Sequence, residues 1–179
     1  MQLLAAVVLA SSTLCHPEVW RAQSDACAER EGILYRWLFF KRQVGQLARS
    51  AQVSQPVEIW LGDNGGNGWI AWSMPVNGGY GIGLNWKWLI DPNPPTHNSI
   101  RQVAAHEVCH AKLGHLEIGG KVPPEEKYGR EHYPVYLCVI DLIGEGAYQR
   151  WLKEELKWSS GEQRRHLQAL AEFRERQSQ

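Results

Sequence analysis

Apolar positions recur along the chain in three regimes. From Pro17 to about Ala51 the period is helical: Ile33, Trp37, Phe40, Val44 and Leu47 follow at 4-3-4-3 spacing, with Arg36, Lys41, Arg42 and Gln43 between them. Such a stripe lies on one side of a helix and predicts a packing element with no chemistry of its own. From Gln55 to Ile90 the pattern shortens to runs of strand length. Val57–Leu61 alternates and stops at Gly62-Asp63-Asn64-Gly65-Gly66-Asn67-Gly68. Trp69–Met74 is a second strand, closed by Pro75 and Asn77-Gly78-Gly79, and Tyr80–Trp88 is a third. Helical spacing returns at Ile100, Val103, Ala104, Ala111 and Leu113, behind the breaker-rich Pro94-Pro95-Thr96-His97-Asn98. Ser99 with Gln102 fits a capping box, Gly114 is a stop signal, and Gly119-Gly120 ends the element. Past a polar loop from Lys121 to Glu131, Pro134 suits the first turn of a further helix. Cys138, Asp141, Leu142, Glu145 and Leu152 fall on one face of it. Ser159-Ser160-Gly161 separates a charged last helix, Glu162 to about Arg176. Strands between helices predict an α+β domain, a short three-stranded sheet packed on the N-terminal helix, the helix near 100–113 and the C-terminal helices.

With 179 residues, 44% of them apolar, residues 15–179 suffice for a single domain with a real core. A formal net charge of zero, without long runs of one sign, argues against nucleic acid or an anionic membrane surface as the main partner. Residues 1–14 read as a signal peptide: Leu3–Ala10 is an apolar core followed by Ser11-Ser12-Thr13, although no Lys or Arg precedes it. That core is too short to span a bilayer, and no other segment could. The protein is therefore expected to be exported, periplasmic or secreted, with a lipid anchor on Cys15 as a second option. Four cysteines in an exported chain permit disulfides, and the expected pairs are Cys15–Cys27 and Cys109–Cys138. Five of the nine tryptophans (Trp60, Trp69, Trp72, Trp86 and Trp88) fall in the strand region. Filling the space between sheet and helices is their expected role; a ribbon of Trp86 and Trp88 stacking on sugar rings is the alternative.

His106-Glu107-Val108-Cys109-His110 changes the picture most. At about 100° per residue, His106 and His110 stand about 40° apart, one turn above the other. Two imidazoles so placed can share one Zn²⁺ at about 2.0–2.1 Å each, with Glu107 on the flank of the same face. A carboxylate there can take a proton from a water whose pKa the metal lowers to about 7. Cys109 diverges from His110 by about 100° and does not suit a ligand role. Asp141 and Glu145, at i and i+4 on an inward face, look like a third ligand with its support, because buried carboxylates need a partner or a metal.

His106 to His115 has the form HExxHxxxxH and resembles the gluzincin metallopeptidases that include the CAAX prenyl proteases and their periplasmic relatives. The likeness extends upstream through the strands and covers Val57 to Trp151. It implies a zincin-like domain with one Zn²⁺, ligands His106 and His110, Glu107 as general base, and a glutamate ligand from the next helix. Glu145 is preferred for that ligand, since its longer side chain spans between helices. Asp141 stays open, because Gln149 follows Glu145 where the family has Asp and the gap from His110 is short. In a continuous helix His115 points about 140° away from His110, and a metzincin-type ligand would stand at Leu116, so His115 is expected to be a helix-end residue. The expected function is an exported zinc-dependent endopeptidase acting on a peptide or protein substrate laid along the strand ending near Trp88. Tyr128, His132, Tyr133 and Tyr148 are candidate oxyanion donors. The alternative is a non-catalytic module on the same scaffold, binding cell-wall glycan or a protein partner.

Overall fold

The computed structural model describes residues 23–63, 69–115, 124–154 and 160–179, with side chains from 132 and 164 onward in the last two stretches. The residues of the expected signal peptide, Cys15 with its expected anchor or pairing to Cys27, the expected turn at 64–68, the Gly119-Gly120 stop and the Tyr128 side chain lie outside the described residues. Seven helices and a three-stranded mixed sheet make up the described residues, an α+β arrangement as expected.

The N-terminal stripe forms two helices, α1 Ser24–Arg30 and α2 Leu34–Ser50, because Gly32 turns the chain at φ +70°. Ile33, Trp37, Phe40, Val44 and Leu47 are all buried, as their spacing predicts. Trp37 Nε1 donates to Asp25 Oδ1 at 2.6 Å and Lys41 Nζ pairs with the same oxygen at 2.9 Å, bracing α1 against α2. Those bonds, Lys41 first, hold the Asp25 carboxyl below its ordinary range.

β1 (Val57–Gly62), β2 (Ala71–Val76) and β3 (Gly79–Asn85) assemble in the order β1-β3-β2, with β1 parallel and β2 antiparallel to β3. The last strand in sequence is thus the central one. Pro75 is tolerated because β2 lies at an edge, where a missing N–H interrupts no ladder. Leu61, Tyr80, Ile82 and Leu84 point into the core. The opposite face of β3 is Gly79, Gly81 and Gly83, and it accommodates tryptophans. A Cβ on Gly81 would sit 2.2 Å from the Trp60 ring, and one on Gly83 2.2 Å from that of Trp72. Of the five tryptophans of the strand region only Trp60 is buried, and it lies with Trp72 on this glycine face and not between sheet and helices. Trp86 and Trp88 pack half-buried at the margin of the core, and Trp69 is exposed. The ribbon of Trp86 and Trp88 does not form, because β3 ends at Asn85. Its side chain accepts from Lys87 N at 3.0 Å and opens a one-turn helix, α3 Trp86–Leu89.

α4, His97–Lys112, starts earlier than the expected capping box. Thr96 is the N-cap and accepts from Ser99 N at 3.1 Å, leaving Ser99 and Gln102 buried inside the helix. Leu113 and Gly114, at φ +68°, end it where predicted. α5, Pro124–Ile143, carries Pro134 in its interior and not in its first turn, at the cost of one backbone hydrogen bond. Gly144, at φ +85°, separates α5 from α6 (Glu145–Glu154), and α7 spans Ser160–Gln177. Among the described residues no helix is long and apolar enough to cross a membrane.

The predicted Cys109–Cys138 disulfide is present, with S–S 2.08 Å, and joins α4 to α5. It closes a loop with a sequence separation of 29. A crosslink of that span removes chain entropy from the unfolded state, so reducing it, or making Cys138→Ser, is expected to cost about 2–4 kcal/mol. Urea unfolding with and without reductant measures this as a shift in midpoint; identical curves would deny the crosslink a stabilising role.

Candidate metal centre

α4 packs on α2, α5, α6 and β2. Ile100, Ala104, Ala105, Val108 and Cys109 are buried within this packing, and a different stripe carries the histidines. The four-residue spacing stacks His106 and His110 one turn apart, with ring centroids 4.8 Å and Nε2 atoms 3.1 Å from each other. His132 of α5 joins them: its ring lies 5.1 Å from that of His106 and 5.2 Å from that of His110. One donor atom from each of the three lies within 4.8 Å of the others. Two nitrogens bound tetrahedrally to one zinc at about 2.0–2.1 Å would stand about 3.3–3.4 Å apart. The His106–His110 pair is already near that spacing, and three imidazoles suit a borderline cation such as Zn²⁺. Burial first, then the neighbouring histidines, holds His106 well below its ordinary pKa. It is therefore the neutral imidazole that a metal needs.

His110 has partners on both edges. Its Nε2 faces His106, and its Nδ1 lies 3.3 Å from Nδ1 of His115. The 140° divergence assumed a helix continuing to His115. Instead α4 ends at Lys112, Gly114 reverses the chain, and His115 N donates to His110 O at 3.1 Å. With Nε2 kept for a metal, the Nδ1–H of His110 is directed at His115, an arrangement that holds a ligand ring in place.

Glu107 is only 6% exposed, and its Oε2 accepts a short hydrogen bond from Ser73 Oγ of β2. Burial pushes the carboxyl up to about 7, and the Ser73 bond opposes only part of that rise. A carboxyl poised there can both accept and return a proton near neutral pH. The Tyr80 hydroxyl is buried on β3, and burial together with the Glu107 charge raises its pKa.

The two carboxylates expected as third ligand and support lie away from this group. Gly144 breaks the helix, so Asp141 and Glu145 do not share an inward face. Asp141 is exposed at the end of α5. Glu145 opens α6, where its Oε1 accepts from Gln149 Nε2 at 2.6 Å and Arg174 Nε at 2.7 Å. Among the described residues the structure gathers His106, His110 and His132, and neither carboxylate.

Two further oxyanion candidates are also engaged elsewhere. Tyr133 donates a short bond to Glu172, and burial with that partner raises its pKa to about 12. The Tyr148 hydroxyl bonds His166 Nδ1 inside the core. Sequence reasoning missed Ser73, Tyr136 and the place of His132 beside the two motif histidines. Ser73 did leave a trace, as the only hydroxyl in the apolar run Trp69–Met74. Tyr136 lies with its ring 6.2 Å from that of His132 and 4.1 Å from that of His166, linking the histidine group to α7.

His166 is fully buried beside Tyr136, Tyr148 and Trp151. Burial, then the charges of Arg165 and His132, depress its pKa to about 4. Unfolded histidine titrates near 6.5, so between those values the unfolded chain binds a proton that the native one refuses. Stability is therefore expected to fall as pH drops from about 6.5 to about 4, by roughly 3 kcal/mol from this residue, and to change no further below that. Urea unfolding at both ends of the window, in wild type and His166→Gln, measures it. Equal acid losses in the two proteins would refute the assignment.

In comparisons with known proteins, no protein-family model, no curated protein sequence and no solved structure matched the chain.

Proposed function

We propose that the chain is an exported zinc-dependent peptidase of the zincin type, with His106, His110 and His132 holding the metal and Glu107 as general base. The observation that carries this reading is the buried, neutral-range carboxyl of Glu107 beside His106, clamped by Ser73 next to three converging imidazoles. When bound, Zn²⁺ supplies a Lewis acid for a carbonyl oxygen and makes water a nucleophile near neutral pH. Ser73 holds Oε2 of Glu107, so Oε1 is the oxygen that meets the water. Glu107 takes the proton of the attacking water and delivers it to the amine nitrogen as the C–N bond breaks.

The peptide-binding edge moves with the topology. β3 is paired on both sides, whereas β2 pairs with β3 alone among the described residues. An extended substrate therefore adds to β2, beside Ser73, by main-chain hydrogen bonds. The Cys109–Cys138 disulfide supports an oxidising compartment, in keeping with the signal-like residues 1–14. Metal analysis of protein purified without chelators is expected to find about one zinc per chain. Chelation should abolish hydrolysis of casein, and added zinc should restore it. Less than about a tenth of an equivalent, unchanged by added zinc, would end the zinc reading.

A further inference from the structure

We infer that a polar cleft between α2, α4 and α5, remote from the histidines, binds a small oxyanion bearing phosphoryl or carboxylate groups. The cleft has a volume of about 570 Å³ and is lined by Gln43, Gln46, Arg49, Ser50 and Arg101, with two leucines beneath. Arg101 precedes His106 by five residues and His110 by nine, which turns it about 140° and 180° away from them on α4. This is a second site on the other side of the motif helix.

Its charge is one-sided. Two guanidinium groups line the cleft and no carboxylate does. Among the described residues neither arginine forms an ion pair. The Nε of Arg101 is shut off from solvent and has no hydrogen-bond partner. A buried N–H without an acceptor is costly, and more so on a permanent cation. The part of each guanidinium that lines the cleft is a charged fork that matches a pair of phosphoryl or carboxylate oxygens, and an oxyanion there offsets the buried cation's charge. Gln43 and Gln46, bonded to each other at 3.4 Å, and the Ser50 hydroxyl add neutral donors at the mouth. The volume is that of a small-molecule site, so a metabolite carrying such groups fits better than a lone ion.

Titration calorimetry of the full chain with inorganic phosphate, pyrophosphate and citrate, at constant chloride, tests this. Saturable one-site binding of at least one probe is expected. Preference for pyrophosphate would assign a phosphoryl ligand, and preference for citrate a carboxylate one. Arg101→Gln should weaken binding about ten- to a hundredfold. Arg49→Gln, at the exposed rim where folding is not at stake, should weaken it about tenfold, and Arg150→Gln on α6 should leave it unchanged. The proposal is overturned if no probe saturates. It is equally overturned if binding survives both cleft variants, which would place the anion at the histidines, or if Arg150→Gln weakens it as much.

Discussion

Glu107→Gln is expected to lower hydrolysis of an unstructured protein such as casein by about 10³–10⁴-fold while leaving zinc content and fold intact. The substitution keeps the shape of the side chain, and an amide can still bond Ser73, but it cannot accept a proton. General-base catalysis is worth about 10²–10⁴-fold, and here the same group prepares the nucleophile and protonates the leaving amine, which puts the loss near the upper end. The metal should stay, since in the proposed site three imidazoles hold it and Glu107 does not. Turnover with zinc-loaded wild type and variant, each checked for metal content, makes the measurement. If wild type cleaves nothing in a broad peptide library, yet binds glycan or a protein partner equally with and without Glu107, the peptidase reading fails. A binding module on this scaffold would then replace it, with Trp69, 47% exposed just before β2, as its first candidate contact.

His132→Ala is expected to weaken zinc binding by about 10²–10³-fold, whereas Glu145→Ala should change it little. A complete site of three or four ligands binds zinc with about 10–16 kcal/mol, so one ligand is worth roughly 3–4 kcal/mol. Glu145 spends its carboxylate on Arg174 and Gln149, so its loss is felt where α6 meets α7. Competition with a zinc chelator reads both affinities. The opposite ranking, with Glu145→Ala emptying the site and His132→Ala leaving it full, would restore the acidic ligand that HExxHxxxxH sequences of this kind imply.

Several parts of the candidate site are legible in the chain alone, each for a local reason. The pairing of His106 with His110 follows from helical pitch, and the end of α4 from the left-handed turn that glycine permits at position 114. The burial of Ile33, Trp37, Phe40, Val44 and Leu47 follows from their period. Even the Cys109–Cys138 bridge needs little more than two cysteines on helices that must pack together. The same local logic misled where one residue interrupts a pattern. Asp141 and Glu145 have i,i+4 spacing, but Gly144 between them ends one helix and starts another, so the shared face never forms.

The remaining choices depend on how elements far apart in sequence are set against each other. His132 becomes the third member of the histidine group because the disulfide and the core fix α5 against α4 at one register, and no spacing rule crosses the gap between them. Ser73 reaches Glu107 because β2 is placed beside α4 at the edge of a sheet whose strand order differs from chain order. His115 returns to His110 only because the helix stops before it. Periodicity within an element states which side of it is buried; it carries no information on which residue of another element will stand opposite. That pairing is decided by packing the whole core, and here it sets a histidine beside His106 and His110, where the sequence pointed to a carboxylate.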